Sequence, residues 1–180
     1  MRMELVAVHA LVWVVLFAGD TAWARDPVFR AMEVAHAEPA SEAPGFSLVT
    51  PEGTTIRLEQ FRGRIVFLNF WATWCPPCRV EMPSMERLHR EFMSQGLVVL
   101  AVDIRESPKQ VARFMKEFRL SFPALLDTDG EVAARYRVQG IPATALIDRS
   151  GRIVGVVVGP RKWSSPEAKA LIRSLLNRRG

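Results

Sequence analysis

The stretch Ile65-Val66-Phe67-Leu68-Asn69-Phe70-Trp71-Ala72-Thr73-Trp74-Cys75-Pro76-Pro77-Cys78-Arg79-Val80-Glu81-Met82-Pro83 decides how the rest of the chain is read. Residues 65–71 make a run of strand length that only Asn69 interrupts, which predicts a β-strand buried on both faces. Pro76 and Pro77 follow Cys75, and proline is favoured at the first positions of a helix because its missing N–H is not needed there. A helix is therefore expected to start at the cysteines, to bury Met85, Leu88 and Phe92, and to bend at Pro83. Cys75 and Cys78 then share its first turn. Unpaired N–H groups and the positive end of the helix dipole stabilise a thiolate there, below the free cysteine pKa of about 8.5. Cys75, as the outer thiol, is expected to attack a disulfide, and Cys78, one turn deeper, to resolve the mixed disulfide.

Other uses of two cysteines fit less well. A purely structural disulfide closing so short a loop restrains the unfolded chain little. A zinc site needs two more ligands, yet the chain has no third cysteine and His36 and His89 are the histidines outside the first 24 residues. No metal and no cofactor is expected. A metal-binding chaperone remains the non-enzyme alternative, and a disulfide-forming oxidant or a peroxiredoxin-like peroxidase would use the same cysteines. The peroxidase spacing Pro-x-x-x-Thr-x-x-Cys is missing, because Thr73 stands only two residues before Cys75.

Outward from this segment, strands and helices alternate. Leu97 to Val102 is a second buried strand, Ser107-Pro108 opens a helix with Val111, Phe114, Met115 and Phe118 on one face, and Ala124 to Leu126 is a short third strand. A brief helix is expected near Val132 to Tyr136. Ala143 to Ile147 and Ile153 to Val158 flank Asp148-Arg149-Ser150-Gly151 as a hairpin, and Ser165-Pro166-Glu167 caps a final helix burying Ala168, Leu171, Ile172, Leu175 and Leu176. Upstream, Phe46 to Val49 and Thr54 to Leu58 flank Pro51-Glu52-Gly53 as another hairpin. The order describes an α/β domain over residues 45–180, a mixed central sheet with helices on both faces and an N-terminal β-hairpin extension.

Before it, residues 25–44 mix Ala, Glu and Pro and read as a solvated linker. Residues 1–24 carry an apolar run from Leu5 to Ala18 and end in Ala22-Trp23-Ala24, the pattern of a signal peptide or an uncleaved anchor. Either form places the domain outside the cytoplasm, in the periplasm or an equivalent space. The 180 residues carry a formal net charge of +5, but Lys and Arg are scattered and make no basic stripe, so no nucleic-acid partner is expected.

Residues 67–83, together with Gly140-Ile141-Pro142-Ala143-Thr144 and Leu146-Ile147-Asp148, resemble the TlpA/ResA group of exported thioredoxin-like proteins over roughly residues 44–176. The resemblance implies a thioredoxin fold, a monomer, a cis peptide before Pro142, and substrate contacts at Trp74, Ile141 and Pro142. It also implies reduction of protein disulfides, including those of apocytochrome c, with a membrane thiol-disulfide transporter as electron donor. Asn69 stands where cytoplasmic thioredoxins keep a buried aspartate. Glu81, three residues past Cys78 on the same helical face, is the candidate to carry protons in its place; the alternative is a glutamate paired with the helix dipole or Arg79. Maturation-specialised relatives tend to carry a glutamate just after the cis-proline, where this chain has Ala143, so the substrate is left open.

Overall fold

The computed structural model describes residues 27–178. The export segment expected at 1–24 lies outside them. Helix α1 (Pro27–Ala31) and strand β1 (Ala35–Glu42) come first, followed by the hairpin β2 (Ser47–Val49) and β3 (Thr55–Arg57), then β4 (Ile65–Trp71) and α2 (Pro76–Phe92). Next are β5 (Leu97–Ile104), α3 (Pro108–Glu117), β6 (Ala124–Asp127), α4 (Glu131–Arg135), β7 (Ala143–Ile147), β8 (Arg152–Val158) and α5 (Pro166–Asn177). One mixed sheet takes the strands in the order β1-β8-β7-β4-β5-β6-β2-β3.

β4 lies at the centre, parallel to β5 and antiparallel to β7, with all seven of its residues buried. Odd-numbered and even-numbered residues of β4 face opposite sides, as the strand's two-residue period requires. Phe67 and Trp71 pack with Met82, Met85, Leu88 and Phe92 of α2, Val111 and Phe114 of α3, and Leu171 and Ile172 of α5. Val66, Leu68 and Phe70 pack with Phe46, Leu58, Val132 and Ala133 on the other face. Asn69 sits on the α2 side, opposite Ala101 of β5 and Thr144 of β7.

Helix α2 continues through Pro83 as one element. The short 3-10 turn after it ends at Gly96, whose φ of 105° favours glycine, and the Gly96 carbonyl accepts from Ile65 N–H at the start of β4. Ser107 and Ser165 cap α3 and α5 through their side chains, as their positions before Pro108 and Pro166 predict.

The segment expected to be a solvated linker is part of the fold. β1 pairs antiparallel with β8, and Phe29, Met32 and Val34 are buried on the α2 side of the sheet. An edge strand held by main-chain pairing needs no alternating side-chain pattern, and a five-residue helix is too short to display a period. The packed unit therefore includes residues 27–42, upstream of the boundary expected at 45. Among the described residues no helix is long and apolar enough to cross a membrane.

Candidate active site

Cys75 is the N-cap of α2 and is disulfide-bonded to Cys78. The prolines between them remove two donors, so the amide that reaches the sulfur is that of Cys78, whose N–H donates to Cys75 Sγ at 3.3 Å. The two sulfurs differ little in access: Cys75 is 2% exposed and Cys78 0%. Trp74 beside them is 67% exposed. The Ile141-Pro142 peptide bond is cis, and the Ile141 carbonyl oxygen lies 3.8 Å from Cys75 Sγ. Among the sequence-predicted residues, the fold thus brings Ile141 and Pro142, more than sixty positions away, onto Cys75.

Glu81 is 2% exposed on the inner side of α2. Its Oε1 accepts from Asn69 Nδ2 at 3.0 Å, and its Oε2 accepts from Trp163 Nε1 at 3.1 Å and the Arg161 main-chain N–H at 3.2 Å. Burial lifts its pKa from 4.5 to about 7, against the pull of these three donors and the Arg161 charge. Arg79 is not its partner: that guanidinium lies over the Phe114 and Phe118 rings and donates to the Thr73 carbonyl at 3.2 Å. Asn69 Nδ2 also donates to Thr144 Oγ1 at 3.0 Å, while Asn69 Oδ1 has no partner.

A second acidic pair flanks the loop before the cysteines. The N–H and hydroxyl of Thr73 both donate to Glu106, the hydroxyl at 2.6 Å. Asp103, at the end of β5, is fully buried beside Glu106. Burial first, then the neighbouring Glu106, pushes its pKa from 3.8 up to about 8. Sequence reasoning missed Asp103, Glu106, Arg161 and Trp163. The signal for Asp103 was an acid closing the buried run Leu97 to Val102; nothing local marks Trp163, which depends on contacts more than eighty residues apart.

A hollow of about 150 Å³, lined by Phe70, Tyr136, Val138, Gly140, Ala143 and Val158 among others, opens beside the loop that carries Pro142. A larger one of about 350 Å³ lies toward the start of β4, between Leu58, Arg62, Val66 and Asp148, and contains none of the site residues.

Residues 39–156 match the AhpC/TSA family. Over 119 residues the chain is 44% identical to the thiol-disulfide oxidoreductase ResA of Bacillus subtilis, an alignment that spans 66% of each protein. It is 39% identical over 158 residues to the thioredoxin-like protein YneN of the same organism, covering 86% of this chain and 91% of that one. Among solved structures, a thiol:disulfide interchange protein of the thioredoxin family from Chlorobium tepidum superposes with a TM-score of 0.70 at 30% identity, over 77% of this chain and 97% of that one. StoA from Bacillus subtilis does so with a TM-score of 0.61 at 27% identity, over 71% and 97%. The thioredoxin fold, the disulfide at the head of α2 and these relatives agree: the chain belongs to the AhpC/TSA family and, within it, to the ResA-type thiol-disulfide oxidoreductases.

Proposed function

We propose that this oxidoreductase reduces disulfides in exported proteins, with Cys75 as the attacking thiol, Cys78 as the resolving thiol and Glu81 as the group that carries protons to and from them. The observation that carries the reading is the disulfide at the α2 N-terminus, with the Ile141 carbonyl against Cys75 and a buried acid of neutral pKa one turn beyond Cys78. Thiolate attack on a substrate disulfide forms a mixed disulfide through Cys75 and releases one substrate thiol. Cys78 then attacks Cys75, closing the enzyme disulfide and releasing the second. The outgoing thiolates need protons and Cys78 must lose one, a demand that a carboxyl titrating near 7 meets at neutral pH.

Trp74, Ile141 and Pro142 form the face on which an extended substrate segment would pair with main chain and pack on the indole. Disulfide-containing exported proteins are the proposed substrate class, apocytochrome c being one candidate that Ala143 leaves open, and a membrane thiol-disulfide transporter is the proposed donor, in a periplasmic or equivalent space. The direction is set by how little stabilises the Cys75 thiolate. One amide reaches it, no histidine lies between the cysteines, and Arg79 is engaged elsewhere, so the couple favours its disulfide and gives electrons away. A peroxidase reading is weaker here because the Thr73 hydroxyl is committed to Glu106.

The test is substrate trapping. Cys78→Ala should accumulate mixed disulfides and Cys75→Ala should abolish both trapping and turnover; trapping through Cys78 would reverse the roles. Equilibration against glutathione at pH 7 should give a potential below about −180 mV, that of protein disulfide isomerase, and a value near about −120 mV would make this an oxidant.

A further inference from the structure

Both donors to Glu81 Oε2 come from the stretch between β8 and α5, which is neither strand nor helix and so must be held by its contacts. The Trp163 ring meets Phe67 edge-on at 4.6 Å, and its main-chain N–H donates to Ser84 Oγ at 3.0 Å. Gly159 N–H donates to the Pro142 carbonyl at 2.8 Å. The Arg161 side chain reaches the other way. Its Nε donates to the Met32 carbonyl at 3.3 Å and its Nη2 pairs with Glu33 Oε2 at 2.6 Å. Met32 and Glu33 make the turn between α1 and β1, where Glu33 takes a φ of 50° that an L side chain adopts at a cost. Phe29, Met32 and Val34 anchor that turn in the core.

We propose that residues 27–34 are a strap acting on the thiol chemistry through Arg161: by gripping its guanidinium they hold the Arg161 amide and the Trp163 indole on Glu81, and so set the pH at which Glu81 exchanges its proton. Arg161, Trp163 and Glu33 are positioning residues. The inference rests on the reading that Glu81 carries protons. Every polar group that meets the carboxyl is a donor: Asn69 from β4, with Thr144 of β7 behind it, and Trp163 and Arg161 from the stretch after β8. Ser84, on α2 itself, donates to the Glu81 main-chain carbonyl instead. The charged group acting on the carboxyl is Arg161. Donors favour the carboxylate, so losing one makes Glu81 keep its proton to higher pH.

The experiment follows the Glu81 side-chain carboxyl carbon by NMR against pH in the oxidised full chain, beside the pH dependence of disulfide exchange. Trp163→Phe should raise the titration midpoint by roughly one unit, the scale of one charge-assisted hydrogen bond. Glu33→Gln, at an exposed residue whose change leaves the core untouched, removes a negative charge that by itself would lower the midpoint, so the expected rise of a few tenths of a unit reports the loosened Arg161 amide, and the exchange profile should move with it. Glu91→Gln, which breaks the ion pairs with Lys169 and Arg173 elsewhere on the surface, should leave the midpoint in place. Unmoved midpoints in both Trp163→Phe and Glu33→Gln would overturn the strap while sparing the role of Glu81. Moved midpoints with an exchange profile that Glu81→Gln leaves unaltered would instead overturn the proton-carrying role on which the strap depends.

Discussion

Glu81 and Asp103 are two acids sealed from water on the same side of one sheet, and their surroundings are opposite in kind. Three N–H donors converge on Glu81, and its pKa stops near 7 although it is buried. Asp103 is met by a second carboxyl, Glu106, through side-chain contact and charge, with Asp127 adding to the repulsion and only the Glu106 main-chain N–H pulling the other way, and its pKa goes to about 8. The lesson is that burial alone does not make a proton carrier. Three donors keep the charged form of Glu81 within reach at neutral pH, whereas at Asp103 burial and the neighbouring carboxylates outweigh the one main-chain donor and favour the protonated form.

Replacing the acid itself separates the two most sharply. Glu81→Gln keeps the shape and the acceptor for Trp163 and Arg161 but removes the titrating proton. Disulfide exchange at pH 7 should slow about a hundredfold, the low end of the range for lost acid-base catalysis, and the inflection near pH 7 should vanish. Asp103→Asn should leave the rate within about twofold, since no part of the exchange uses it; stopped-flow reduction of a peptide disulfide from about one unit below neutrality to about two above reads both. Equal losses in the two variants would erase the distinction.

How much of this was legible depends on range. The apolar run 65–71, the prolines after Cys75 and the serine-proline caps are local signals, and β4, α2, α3 and α5 stand where those signals put them. Cys75, Cys78 and Glu81 could be picked out because helix periodicity places them on one turn after another. The partners that give Glu81 its properties could not, because Arg161 and Trp163 meet it only once β8 and α5 have packed against α2. Residues 27–42 were misread for a related reason: β1 is held by main-chain pairing to β8, which leaves no pattern in the side chains. Asp103, two residues beyond Ala101, the β5 neighbour of Asn69, leaves little trace in the sequence, because an acid at the end of a buried run looks the same as the first exposed residue after it.

A stability measurement sharpens the contrast with a smaller effect. Unfolded, Asp103 releases its proton near 3.8; folded, it holds it to about 8. Between those values the folded state binds more protons than the unfolded one, so stability falls as pH rises, and the full cost is present above pH 8. Asp103→Asn removes that cost while matching the protonated acid in shape. Its melting temperature should exceed that of the wild type by about 10 °C or more at pH 8.5, the scale for a carboxyl moved from 3.8 to about 8 in a domain of this size, and by little at pH 4. A gain of the same size at both pH values would show that packing, and not the buried charge, is responsible.

The finest test gives Asp103 what Glu81 already has. In Glu106→Gln the amide oxygen can still accept from Thr73, and the amide nitrogen replaces a like charge with a donor facing Asp103. Two of the three causes that raise the Asp103 pKa after burial then disappear, leaving burial itself and Asp127, so the pKa should fall and the pH-dependent loss of stability should become shallower above pH 7. The cost is one of the two hydrogen bonds to Thr73, about 1 kcal/mol or somewhat more for a charged acceptor. The loop should nonetheless keep its place, because Arg79 still holds the Thr73 carbonyl and is itself fixed over Phe114 and Phe118. Exchange rates should therefore change by less than about threefold, consistent with a group that holds the loop without moving the proton. Urea melts at pH 6 and 8.5 on wild type, Glu106→Gln and the double variant with Asp103→Asn complete the cycle. If Glu106→Gln flattens the pH dependence in the single variant but adds nothing once Asp103 is gone, the two carboxyls act as one unit; additive effects in the double variant would mean that Asp103 is raised by burial alone.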